Sequence, residues 1–163
     1  MLYIKNLLTY ILLLPLIGAS FLAITPATNK NLLKSITLNT SCLTFVLSLL
    51  LWVFFDKSIS TFQFVNKFLW IPILNINFTM GIDGISLFFI LLTTLLIPLC
   101  LLVSWDSIQF NLKEYLISFL IMEFFLIGVF CILDLFLFYI FFESVLIPMF
   151  LIVGVWGSRE RKI

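Results

Sequence analysis

The chain has 163 residues, of which 63% are hydrophobic and only 10% charged, with a net charge of +1. A soluble domain of this size has no use for so much apolar surface, so the composition specifies an all-α, polytopic membrane protein forming a single membrane domain over 1–163. The near-neutral balance, with no basic cluster before the C-terminus, argues against nucleic-acid binding. The absence of histidine, and of any CxxC spacing among Cys42, Cys100 and Cys131, argues against a metal site and leaves those cysteines as small apolar packing residues.

Five apolar runs are long enough to span a bilayer, which takes about 20 residues. The first predicted helix covers 7–24, with Pro15 and Gly18 inside it and Pro26 just beyond. Residues 25–35, carrying Lys30 and Lys34, read as a polar loop before a second helix over 36–55. The outward-facing loop 56–84 differs in texture: Gln63, Asn66, Lys67, Asn75 and Asn77 lie among scattered aromatics, with Pro72 in the middle. Its segments FQFV and ILNINF alternate loosely at period two, which suggests a hairpin-like element, and Trp70 suits an interfacial anchor. Asp83 is placed to cap a third helix over 85–104, bent at Pro98. A fourth helix over 114–133 and a fifth over 135–156 are separated only by Asp134 and its neighbours.

Of the nine basic residues, Lys30, Lys34, Lys113, Arg159, Arg161 and Lys162 fall on one side of five alternating spans, and Lys5, Lys57 and Lys67 on the other. The positive-inside rule puts the larger group, and the C-terminus, in the matrix or cytoplasm; the N-terminus then faces the opposite compartment. No Arg-rich, Ser-rich amphipathic presequence precedes the first span, so a bacterial protein or one made inside its own organelle is expected. The leaning to Phe, Ile, Leu and Asn, typical of an AT-rich genome, favours an organelle.

Two acids lie inside predicted spans, Glu123 on the fourth and Glu143 on the fifth. Counted from Asp134 at about 1.5 Å per residue, both sit about 14–17 Å deep on neighbouring helices. The count sets depth but not helix rotation, so a proton could pass between them directly or through water. A mid-membrane charge costs about 2.5–3.5 kcal/mol on insertion scales for Asp, Lys or Arg, and such residues usually face a cavity or a partner. The alternative is a protonated acid hydrogen-bonded between helices. Pro148, five residues past Glu143, leaves the Ser144 carbonyl without its helical donor and permits a kink one turn beyond the acid. Inside the predicted spans there is no lysine, arginine or histidine, so a counter-charge has to come from another polypeptide.

The stretches FQFV (62–65), MGIDGISLFFILLT (80–93) and EYLISFLIMEFFLIGVFCILDLFLFYIFFESVLIPMFLIVGVWGSRERK (114–162) closely resemble the subunit 4 family of respiratory NADH dehydrogenase, complex I. The resemblance is to the mitochondrial type, covers residues 40–163 well, and is most specific in FFESVLIPMFLIVGVWGSRERK. It implies the N-terminal part of an antiporter-like, proton-translocating subunit of NADH:ubiquinone oxidoreductase, coupled to electron transfer elsewhere in the complex. It implies an enzyme subunit without a redox site, a cofactor or a metal of its own. By the same resemblance, Glu143 matches the fifth-helix acid that pairs with a lysine on a later, broken helix, and Glu123 an acid found in part of the family. The expected partners are the other membrane-arm subunits and the bilayer. A full member continues well past a fifth helix into an inverted repeat. A split subunit, with a second polypeptide supplying the rest, is therefore expected, a truncated product being the alternative. The competing functions are a structural scaffold of the membrane arm and a module of a cation/proton antiporter.

Overall fold

A computed structural model describes residues 6–59, 61–71 and 76–157. Five helices cross between two ends of a bundle: α1 (Leu7–Ile24), α2 (Lys30–Val53), α3 (Gly84–Val103), α4 (Leu112–Cys131) and α5 (Leu135–Trp156). Each is long and apolar enough to cross a membrane. The bounds of α1 and α5 coincide with the expected ones, because hard punctuation ends their apolar runs: Pro26 beyond α1, Asp134 before α5 and Gly157 after it. The helix α2 departs furthest. It begins at Lys30 rather than Ile36, so the stretch expected as a loop is helical over its second half. The physical reason lies across the bundle, where the Lys34 ammonium donates to the Trp105 carbonyl and lies 5.1 Å from the centre of the Trp105 ring. Lys34 is consequently buried, and a polar residue becomes part of a helix face.

Between α2 and α3 a two-stranded antiparallel hairpin, β1 (Gln63–Ile71) and β2 (Ile76–Ile82), fills the place of the expected hairpin-like element. Asn66 pairs with Met80 and Phe68 with Phe78, with a bulge between Gln63 and Asn66 where Phe64 takes φ 54°. Pro72 and the Trp70 side chain, read above as a loop centre and an anchor, lie outside the described residues. The hairpin is a cap on the bundle, with Met80 and Ile82 fully buried beside Leu8, Ile11, Leu87 and Ile127. The Leu133 amide donates to the Thr79 carbonyl at 2.9 Å, which ties the short α4–α5 turn to β2. At the opposite end, Lys30 reaches Gln109, Lys113 reaches the Ala23 carbonyl at 2.8 Å, and Trp156 reaches the Phe110 carbonyl at 2.8 Å. Lys30, Lys34 and Lys113 therefore share one end of the bundle. The residues 158–163, with the remaining basic residues of that group, lie outside the described residues.

Asp83 caps α3, accepting from the Ser86 amide at 2.8 Å and the Ser86 hydroxyl at 2.5 Å, while its own amide donates to that hydroxyl at 2.9 Å. The Ser86 bonds hold its carboxyl below the usual carboxylate range. Asp83→Ala is expected to cost about 1 kcal/mol. Because the folded value is depressed, that contribution is present above the unfolded value of about 3.9 and is lost as pH falls through the folded one. Thermal melts of the solubilised protein check this: wild type and variant should differ at neutral pH and converge in strong acid. Asp134 caps α5, accepting from the amides of Phe136 and Leu137 at 3.0 and 3.3 Å.

The helix α4 is the hub, packing on α1, α2, α3 and α5, whereas α5 packs chiefly on α4. At that seam Gly128 lets the ring of Phe141 lie against the α4 backbone. Phe78, Phe124 and Phe125 surround the ring at centroid separations of 6.3, 5.5 and 5.7 Å. A similar close approach joins α1 to α2, where a Cβ on Gly18 would lie 2.9 Å from Thr40 Cγ2. Only Leu137, Phe141 and Pro148 of α5 are buried, so most of this helix presents an open apolar surface.

Candidate functional site

The two intramembrane acids stand in opposite settings. Glu123 is fully buried, projecting from α4 towards α2, where its Oε1 lies 2.6 Å from Thr44 Oγ1. Its Oε2 is buried without a hydrogen-bond partner among the described residues. A buried polar atom left unpaired is costly, so this oxygen is where further chemistry is to be sought. Glu143 is exposed on the outer face of α5 and accepts a 2.9 Å hydrogen bond from the Tyr139 hydroxyl one turn earlier. Beside it runs an open groove lined by Ser144, Leu146, Ile147, Phe150 and Leu151.

The depth argument put both acids on adjacent helices, and the α4–α5 contact is indeed close. Rotation separates them: Glu123 is bonded to α2 and Glu143 faces away from the bundle, so the structure does not bring the pair together. Pro148 lies within α5 and is buried, five residues past Glu143, and the Ser144 hydroxyl donates to the Ile140 carbonyl at 2.7 Å.

A feature missed by reading acids alone surrounds Glu123. Along α2, Thr37, Ser41, Thr44 and Ser48 are all fully buried. Their spacing of four, three and four residues puts them on one helix face. Each hydroxyl meets a carbonyl of its own helix, the usual way Ser and Thr are accommodated in apolar helices. Two also reach across: Thr44 to Glu123, and Ser48 to Thr94 of α3 at 2.8 Å. The signal was present in the spacing, which places four hydroxyls and Lys34 in one stripe. Among the described residues no three His, Cys, Asp or Glu side chains cluster as a metal site would require. Cys131 is buried in the core and Cys42 and Cys100 are exposed.

No protein-family model matches the chain. It is 65% identical over 151 residues to NADH-ubiquinone oxidoreductase chain 4 of Chondrus crispus, a match covering 93% of this chain and 31% of that protein. With the chain 4 protein of Arabidopsis thaliana it shares 56% identity over 156 residues, covering 96% of this chain and 32% of the relative. Its fold is similar to a chain of respiratory complex I from Thermus thermophilus, with a TM-score of 0.76 and 26% identity over 91% of this chain and 29% of that one. The chain thus spans about a third of the length of the relatives it matches.

Proposed function

We propose that this chain, which belongs to the NADH-ubiquinone oxidoreductase chain 4 family, forms part of a proton-translocating, antiporter-like module in the membrane arm of NADH:ubiquinone oxidoreductase. The observation that carries the reading is the placement of Glu143: a carboxyl near the middle of a membrane-spanning helix, on its open face, beside an apolar groove. A carboxyl facing lipid there is costly, and one facing further helices is a protonatable group with a partner. The wide apolar surface of α5 around it is what such helices would cover. They would bring a cation to Glu143, on this polypeptide's continuation or on a separate one, since the lysines of the described spans, Lys30, Lys34 and Lys113, are bonded to Gln109, Trp105 and Ala23 at one end of the bundle. Movement of that cation towards and away from Glu143 would drive the acid to release and take up its proton. Redox chemistry belongs to other subunits in this reading.

The location that follows is the mitochondrial inner membrane. The end of the bundle carrying Lys30, Lys34 and Lys113 faces the matrix, and the hairpin end the intermembrane space. Mass spectrometry of the NADH-oxidising band from a native gel of source membranes tests the assignment. Peptides of this chain in that band are expected, with the sequence of the further helices on the same or a second polypeptide. A band without this chain would sink the complex I assignment and leave the antiporter module as the better reading.

A further inference from the structure

We infer that Glu123 is the centre of a second proton-binding site, buried where Glu143 is exposed, served by the hydroxyl file Thr37–Ser41–Thr44 leading to it from the Lys34 end of the bundle. The inference takes its membrane setting from the function proposed above, but rests on a different acid and different helices.

Three observations carry it. The first is the orphaned Oε2 of a fully buried carboxyl, which needs either a proton of its own or an ordered water to satisfy it. The second is a count of hydrogens. The Thr44 hydroxyl has one proton and two oxygens within bonding reach, the Ser41 carbonyl at 2.7 Å and Glu123 Oε1 at 2.6 Å. If that proton serves the carbonyl, the contact with Glu123 is a hydrogen bond only when the carboxyl itself is the donor. If it serves Glu123, the carbonyl loses it. The geometry therefore accommodates a carboxyl that both holds and gives up a proton, with Thr44 exchanging donor and acceptor roles. The Ser48–Thr94 contact repeats this ambiguity, since each hydroxyl also lies within reach of a carbonyl on its own helix. The third is position. Thr37 and Lys34 line a small cavity with Ser104, Trp105 and Tyr115 at the Lys34 end of the file.

Successive members of the file are one helical turn apart, with Cβ atoms about 5–6 Å from each other, too far for direct transfer. The step is consequently water-assisted. An O–H bond forms at Glu123 as one breaks on an adjacent water, and the hydroxide left behind takes a proton from the next water towards the Lys34 end, so that one proton enters the file there in net. The charged and titratable groups on the helices packed against this site lie away from its level in the chain. They are Lys30 and Lys34 at the start of α2, Lys113, Glu114 and Tyr115 at the start of α4, Cys131 at its end, and Cys100 near the end of α3; the exception is Cys42 of α2, which is at this level but exposed, on a different face from Thr44. Tyr10 on α1 is exposed, and Tyr139 and Glu143 sit on the outward face of α5.

The test is infrared difference spectroscopy of the purified native assembly containing this chain, in light and heavy water. A protonated-carboxyl carbonyl band is expected that is lost in Glu123→Gln and shifts to higher frequency in Thr44→Val, which removes its hydrogen-bond partner. The double variant Thr37→Val with Ser41→Ala should leave the band in place and slow its exchange with heavy water. If Glu123→Gln assembles and removes no band, the site is wrong. An exchange rate unchanged in the double variant overturns the file. Because Thr44→Val and the double variant retain the acid, a failure of Glu123→Gln to assemble leaves both remaining readouts decisive. None of these readouts requires NADH oxidation, so the site can stand if the complex I assignment falls, and the assignment can stand without the site.

Discussion

Replacing Glu143 with glutamine is expected to leave the assembly intact and cut NADH-driven proton translocation by roughly tenfold or more, the scale set by loss of a proton-transferring group. The substitution isolates protonation from shape. Glutamine has nearly the same volume, and its amide oxygen can still accept the 2.9 Å bond from the Tyr139 hydroxyl. It cannot take up or release a proton, and presents no charge to an approaching cation. Glu143 buries nothing among the helices described, so its replacement leaves the α4–α5 packing untouched. Proteoliposomes containing the purified complex, with a pH-sensitive dye inside and NADH as electron donor, give the readout. Translocation at the wild-type level, with normal assembly, would establish the scaffold reading in place of the pumping one. Tyr139→Phe provides the graded companion: it deletes one hydrogen bond, worth about 1 kcal/mol, and should lower the rate without abolishing it.

What the sequence made legible, and what it did not, divides along the range of the interactions. The ends of α1 and α5 are written locally, in Pro26, Asp134 and Gly157, and so is the capping of α3 by Asp83. The start of α2 is not, because the residue that makes Lys34 a helix-face residue is Trp105, 71 positions away. The depth of the two acids follows from rise per residue, a local quantity. Their facing does not, since it is fixed by which neighbour each side of the helix meets. Thr44 claims Glu123 from 79 positions away, and the phenyl cluster turns Phe141 inward on α5, with Glu143 two residues later directed out. The hydroxyl stripe of α2 falls between these cases. Its periodicity is in the sequence, but whether a polar stripe faces lipid, water or a buried acid is a tertiary fact.

The close approach of α5 to α4 depends on a glycine, and Gly128→Ala is expected to be a damaging single-methyl change at that seam. A Cβ at this position would overlap the Phe141 ring. Phe124 and Phe125 at 5.5 and 5.7 Å and Phe78 of the hairpin at 6.3 Å crowd the ring on three sides. Relief either swings the ring out of this cluster or shifts α5 away from α4, and the packing of α5 within the described chain is chiefly with α4. In a membrane, close van der Waals approach at small residues is a main source of helix association, so the loss is not offset by solvent. Overpacking of this kind costs about 1–3 kcal/mol. The variant should accordingly melt at a lower temperature in detergent and assemble poorly. The double variant Gly128→Ala with Phe141→Leu should recover part of the loss, because the smaller, non-planar side chain vacates the ring's position. A double-mutant cycle on melting temperature measures that coupling. Additive effects would mean the two residues do not meet, and with them would go the rotation of α5 that sends Glu143 outward.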